Sequence, residues 1–98
     1  MALEALTDAQ ISEALDMLDG WERKGDALAR TFSFDTYVAG LGFATAVGMI
    51  CEAQNHHPEL LQIGYKKVML EFLTHDAGNA ITQNDVDVAK AINQLLKP

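Results

Sequence analysis

Ninety-eight residues carrying fourteen Asp and Glu against seven Lys and Arg, a formal charge of −7, suffice for one modest core and exclude a basic face able to grip a phosphate backbone directly. A lone cysteine, Cys51, rules out an intrachain disulfide and reads as a buried structural thiol in a reducing compartment. The longest apolar run, 38–51, is interrupted by Gly and Thr and is too short to cross a bilayer, and no basic stretch followed by an apolar one opens the chain. A single cytoplasmic domain over residues 1–98, with no secretory signal and no membrane contact, is therefore expected.

In chain order, Thr7-Asp8-Ala9-Gln10 has the form of a capping box, and Ile11, Leu15 and Leu18 recur at helical spacing before Gly20 stops the run. Residues 21–24, a turn at Gly25-Asp26, and then Leu28, Arg30, Phe32 and Phe34 alternating on one face predict a hairpin. Arg30 breaks that apolar face; a packed stem with its head in water is preferred over a carboxylate partner. Asp35 is placed to cap a long helix over 36–55, whose apolar residues Tyr37, Val38, Leu41, Phe43, Val47, Met49, Ile50 and Cys51 cover more than one stripe. One stripe is enough to lie on a sheet. The second is expected to meet another subunit, where Gly40, Gly42 and Gly48 would allow close backbone approach.

Pro58 biases His57 out of the helical region and ends that helix. Leu61, Ile63 and Tyr65 then alternate, Lys66-Lys67 turns the chain, Val68 to Thr74 returns as a strand, and His75 stands at its end. Thr82-Gln83-Asn84-Asp85 caps a last helix carrying Val86, Ala89, Ile92 and Leu96. The order αββαββα predicts an α+β two-layer domain, a four-stranded, largely antiparallel sheet with helices packed on one face.

All three histidines, His56, His57 and His75, follow the long helix, and imidazoles that titrate near neutrality can act as acid and base at one pH. Glu52 and His56 stand at i and i+4, within reach of one another on a helix. Three His and a Glu could ligate zinc, but His56 and His57 should point apart, and no histidine pair occupies i and i+4 as in helical zinc sites. Cys51 lies too deep in the apolar run for a nucleophile, and no serine sits in a suitable turn. Acid/base chemistry by imidazoles, with neither metal nor cofactor, is the preferred reading.

The run Glu52-x3-His56-His57-Pro58-x6-Tyr65-x9-His75-x9-Asp85 resembles the signature of the pterin-4a-carbinolamine dehydratases. Gly20-Trp21, Arg30-Thr31-Phe32-Ser33-Phe34 and Thr82 to Asp85 also fall where that family has matching features, while Lys66 and Asn79-Ala80-Ile81 depart from its pattern in two turns. The resemblance implies dehydration of 4a-hydroxytetrahydropterin to quinonoid dihydropterin, a step in recycling the cofactor of aromatic amino acid hydroxylases. It implies His57 and His75 as acid and base at the 4a-hydroxyl, His56 in contact with the pterin, and Glu52 orienting the imidazoles. Pro58 and Trp21 would complete the substrate-binding set, although a tryptophan there is as readily core, and Asp85 would serve mainly to complete its capping box. A homodimer or homotetramer through the 36–55 helix and a sheet edge is implied as well. The alternative that the resemblance carries is a dimerisation or assembly cofactor of the same fold, binding proteins through its surface.

Overall fold

Each capping signal in the sequence starts a helix. In the computed structural model, which describes residues 3–97, Thr7 and Gln10 exchange side-chain and backbone hydrogen bonds at the head of α1, Asp8–Leu15. Thr82 and Asp85 form the same reciprocal pair at α3, Gln83–Gln94. The long helix α2, Tyr37–Ala53, is capped by Thr36 rather than by Asp35. Its hydroxyl accepts the Ala39 N–H at 3.1 Å, a donor three residues on, which is the reach of a cap side chain.

The strands are β1 (Glu22–Lys24), β2 (Ala27–Ser33), β3 (Leu60–Ile63) and β4 (Lys67–Phe72), all antiparallel in the order β1-β2-β4-β3. The two hairpins join where Leu28 faces Phe72, Arg30 faces Leu70 and Phe32 faces Val68. Because side chains alternate across a strand, this register puts one apolar face toward the helices. Against it lie Phe43, Ala44, Val47 and Cys51 of α2 and Val88, Ala89 and Ile92 of α3, all buried. Gly40 belongs to the same stripe and faces the sheet, its Cβ position 3.4 Å from the Phe34 ring and 3.6 Å from Val68. Burial pushes the Cys51 thiol above its ordinary pKa, since the thiolate would be desolvated.

Several boundaries differ from the sequence reading. The Gly64 N–H donates to the Lys67 carbonyl at 2.8 Å, which closes the second hairpin around Tyr65-Lys66, so Tyr65 lies in the turn and Lys67 begins β4. That strand stops at Phe72 rather than Thr74, and His75 opens a short 3₁₀ turn, His75–Ala77. Arg30 does not face a carboxylate. Its Nη1 donates to the Asp19 carbonyl and to Asn93 Oδ1, both at 2.7 Å, and its guanidinium sits 4.3 Å from the Phe32 ring centroid. Gly20, at φ +85°, makes room for it; a Cβ there would lie 2.5 Å from Arg30 Nε. Among the described residues, no helix is long and apolar enough to cross a membrane.

Candidate active site

The site begins where α2 ends. Asn55 takes the left-handed conformation at φ +52°, the Asn55 N–H donates to the Glu52 carbonyl at 3.1 Å, and the His56 N–H donates to the Cys51 carbonyl at 3.0 Å. This pair of bonds is a Schellman closure with asparagine in the position glycine usually fills. The helix is thus finished before Pro58, and His56 and His57 leave it on an extended segment instead of continuing its spiral.

That change of direction overturns the expected Glu52–His56 pair. His56 turns inward: its Nε2 lies 2.6 Å from Asp85 Oδ1, its ring stacks at 6.1 Å on Phe72, and only 12% of its side chain is exposed. Glu52 instead meets His57, Oε1 to Nε2 at 2.8 Å, on the exposed rim. The i, i+4 rule holds for two residues inside one helix, and His56 is outside it.

Asp85 has two functions rather than one. It closes the capping box through Oδ2, which accepts the Thr82 N–H at 2.8 Å and the Thr74 hydroxyl at 2.9 Å. The Thr74 proton being committed there, the Thr82 hydroxyl donates to Thr74 Oγ1 at 2.8 Å. Fully buried and surrounded by donors, Asp85 acts as a carboxylate, so the proton on the shared bond sits on His56 Nε2. One carboxylate thereby fixes His56 through one oxygen and the residue preceding His75 through the other.

His75 rides on a small loop whose ends are tied by two bonds, Thr74 N–H to Ala80 O at 2.9 Å and Ala80 N–H to Thr74 O at 3.2 Å. Gly78, at φ +80°, lets the chain reverse within it. The imidazole partner is Glu59, which the sequence reading did not single out: His75 Nε2 stands 2.5 Å from Glu59 Oε2. The two are 16 residues apart, and only the placement of β3 beside β4 brings them together. No local spacing signals such a pair.

The three histidines line one cavity of about 520 Å³, between the segment that follows α2 (Asn55, His56, His57, Pro58, Glu59), the 73–76 segment, Asn84 and Leu3. The three imidazoles thus share a rim, each bonded through Nε2 to its own carboxylate. Among the described residues, Nδ1 of none of them has a hydrogen-bond partner. Trp21 is elsewhere: it is 6% exposed in the core, packs 6.0 Å from Phe72, and donates from Nε1 to Asn93 Oδ1 at 2.8 Å. It supports His56 only at one remove, through Phe72. Tyr65, 75% exposed at its hairpin tip, is also outside the cavity. Among the described residues, no group of three or more His, Cys, Asp and Glu side chains is arranged to hold a metal ion.

Comparison with known proteins places the chain in a family. Residues 4–95 match the family model described as pterin 4 alpha carbinolamine dehydratase, and the chain belongs to that family. Relatives whose names assign them pterin-4-alpha-carbinolamine dehydratase activity provisionally include one from Natronomonas pharaonis, 44% identical and covering 94% of this chain and 96% of its own length. Another, from Sulfurisphaera tokodaii, is 39% identical over 96% of this chain and 99% of its own. Among solved structures, one from Brucella melitensis described as a transcriptional coactivator/pterin dehydratase matches with a TM-score of 0.88 at 30% identity, over 96% of this chain and 100% of that one. A pterin dehydratase-like RuBisCO assembly factor of the alpha-carboxysome shares the fold, with a TM-score of 0.62 at 20% identity, over 76% of this chain and 84% of that one.

Proposed function

We propose that the protein is a hydro-lyase that dehydrates 4a-hydroxytetrahydropterin to quinonoid dihydropterin in the recycling of a tetrahydropterin cofactor. The reaction breaks the C4a–O bond. The leaving hydroxyl takes a proton and departs as water, a proton leaves the ring system to a base, and no electrons are gained or lost. The observation that carries the reading is the set of imidazoles on one cavity rim, each tied to a carboxylate through Nε2. A ring so tied works through Nδ1: its lone pair takes a proton in the neutral form, and its N–H gives one in the charged form. In this reading His57 and His75 exchange the protons, His56 with Pro58 lines the pterin pocket, and Glu52 orients His57. Trp21 contributes by backing Phe72 beneath His56.

The test follows ultraviolet absorbance of freshly generated 4a-hydroxytetrahydropterin with wild type and with a His56/His57/His75 triple alanine variant. Acceleration by the wild type, absent in a variant of unchanged circular dichroism, is the expected result. A wild-type rate equal to that of buffer would sink the reading. The surface role of protein partner would then lead.

An oligomer belongs to the same proposal. Along α2, Tyr37, Val38, Leu41 and Met49 form a second apolar stripe, with Val38 and Met49 at 74% and 70% exposure. β3 is an edge strand that leaves Leu61 and Ile63 37% and 41% exposed. Contiguous apolar surface of this kind fits a contact between copies. Light scattering should give a homodimer or homotetramer at micromolar concentration, reduced by Leu41→Glu with Met49→Glu, whereas a wild-type monomer would contradict the assignment.

A further inference from the structure

We infer that Glu59 is a positioning residue for His75: its carboxylate takes the Nε2 proton of the imidazole and holds the ring so that Nδ1 is the nitrogen free for proton transfer. The inference rests on the dehydratase reading, in which His75 moves a proton. Glu59 follows Pro58, whose ring fixes its own backbone, and the Glu59 N–H donates to the Glu71 carbonyl at 2.8 Å, which ties the residue just before β3 to β4. The carboxylate therefore projects from a backbone position tied directly to the sheet. His75, by contrast, stands on an exposed turn with nothing packed over it: its side chain is 66% exposed.

The contact, 2.5 Å between Nε2 and Oε2, is within hydrogen-bond reach, and an ionised acceptor makes the stronger kind of hydrogen bond. Yet Glu59 is itself 44% exposed, and an ion pair in water adds little to folding. What it does is local. An unattached imidazole on a surface turn samples several rotamers and both neutral tautomers. A carboxylate, which can only accept, selects the tautomer with the proton on Nε2. His56 is held in the same way by Asp85 and His57 by Glu52, so Glu59 completes a pattern in which every imidazole of the cavity has its own carboxylate from a different segment.

The test compares wild type, Glu59→Ala, His75→Ala and the double variant, with turnover measured alongside the ¹⁵N shifts of the His75 ring. Glu59→Ala should lower kcat about tenfold and leave KM within about twofold, because the lost term is proton transfer rather than substrate binding. In the His75→Ala background it should cost nothing more. The wild-type His75 spectrum should show a protonated Nε2 and an unprotonated Nδ1, and in Glu59→Ala the two shifts should move toward the averaged values of exchanging tautomers. An unchanged kcat, unchanged ring shifts, or an equal further loss when His75 is already absent would each overturn the inference. No acceleration by wild type would sink the dehydratase reading alone, and the ring shifts would still decide whether Glu59 holds His75.

Discussion

Alanine at His57 or at His75 lowers the rate of 4a-hydroxytetrahydropterin dehydration by about 10²–10⁴-fold, the range in which a positioned acid or base contributes. Both variants stay folded. The two side chains are 59% and 66% exposed and bond only to carboxylates that are themselves on the surface, and surface substitutions away from structural features change stability by no more than about 0.5 kcal/mol. Stopped-flow absorbance on freshly generated substrate measures the rate, and a thermal melt on the same sample separates lost chemistry from lost structure. If one histidine gives a proton and the other takes one, the double alanine variant falls well short of the product of the two single effects, because groups that act as a unit are not additive. Turnover close to wild type in both single variants would refute the assignment of roles.

Asp85→Ala should be the most damaging substitution for the fold among the residues of the site, at about 3 kcal/mol. The capping box contributes about 1 kcal/mol of this, and the Thr74 hydroxyl, buried with Asp85, loses its acceptor at a cost of about 1–3 kcal/mol. Urea denaturation measures the sum. Asp85→Asn separates the two functions of the carboxylate. Its amide oxygen can replace Oδ2 for Thr82 and Thr74, so the fold is largely kept, but the NH₂ group then faces His56 Nε2 and forces the proton to Nδ1. The expected outcome is a folded protein with reduced turnover and an inverted His56 tautomer in its ¹⁵N spectrum. A destabilisation of Asp85→Ala below about 1 kcal/mol would mean that the buried network is not holding the site.

Much of the fold was legible one segment at a time. Thr7-x-x-Gln10 and Thr82-x-x-Asp85 announce helix starts because the capping box is completed within four residues. Leu28, Phe32, Val68, Leu70 and Phe72 announce a sheet face because strand alternation is a local property. The imidazole cluster was legible as well, since the doublet ahead of Pro58 and the residue types alone suggest proton chemistry. The signature around it pointed to the family that the whole-chain match then showed.

What only the tertiary structure decided was which residue pairs with which. Glu52 lies close to both His56 and His57 in sequence, and the choice between them turned on the left-handed Asn55 that swings the chain off the helix axis. Asp85 read as a cap and is one; its second oxygen reaches His56 across 29 residues because α3 packs beside the end of α2. Glu59 gave no signal at all, since its partner is a loop residue brought near by β3–β4 pairing. Trp21 could equally have been pocket or core, and the Asn93 acceptor, 72 residues away, places it in the core. Hydrogen bonds within a turn are written in adjacent residues. Those that aim an imidazole depend on where separate elements come to rest, and that is set by the burial of the whole apolar face at once.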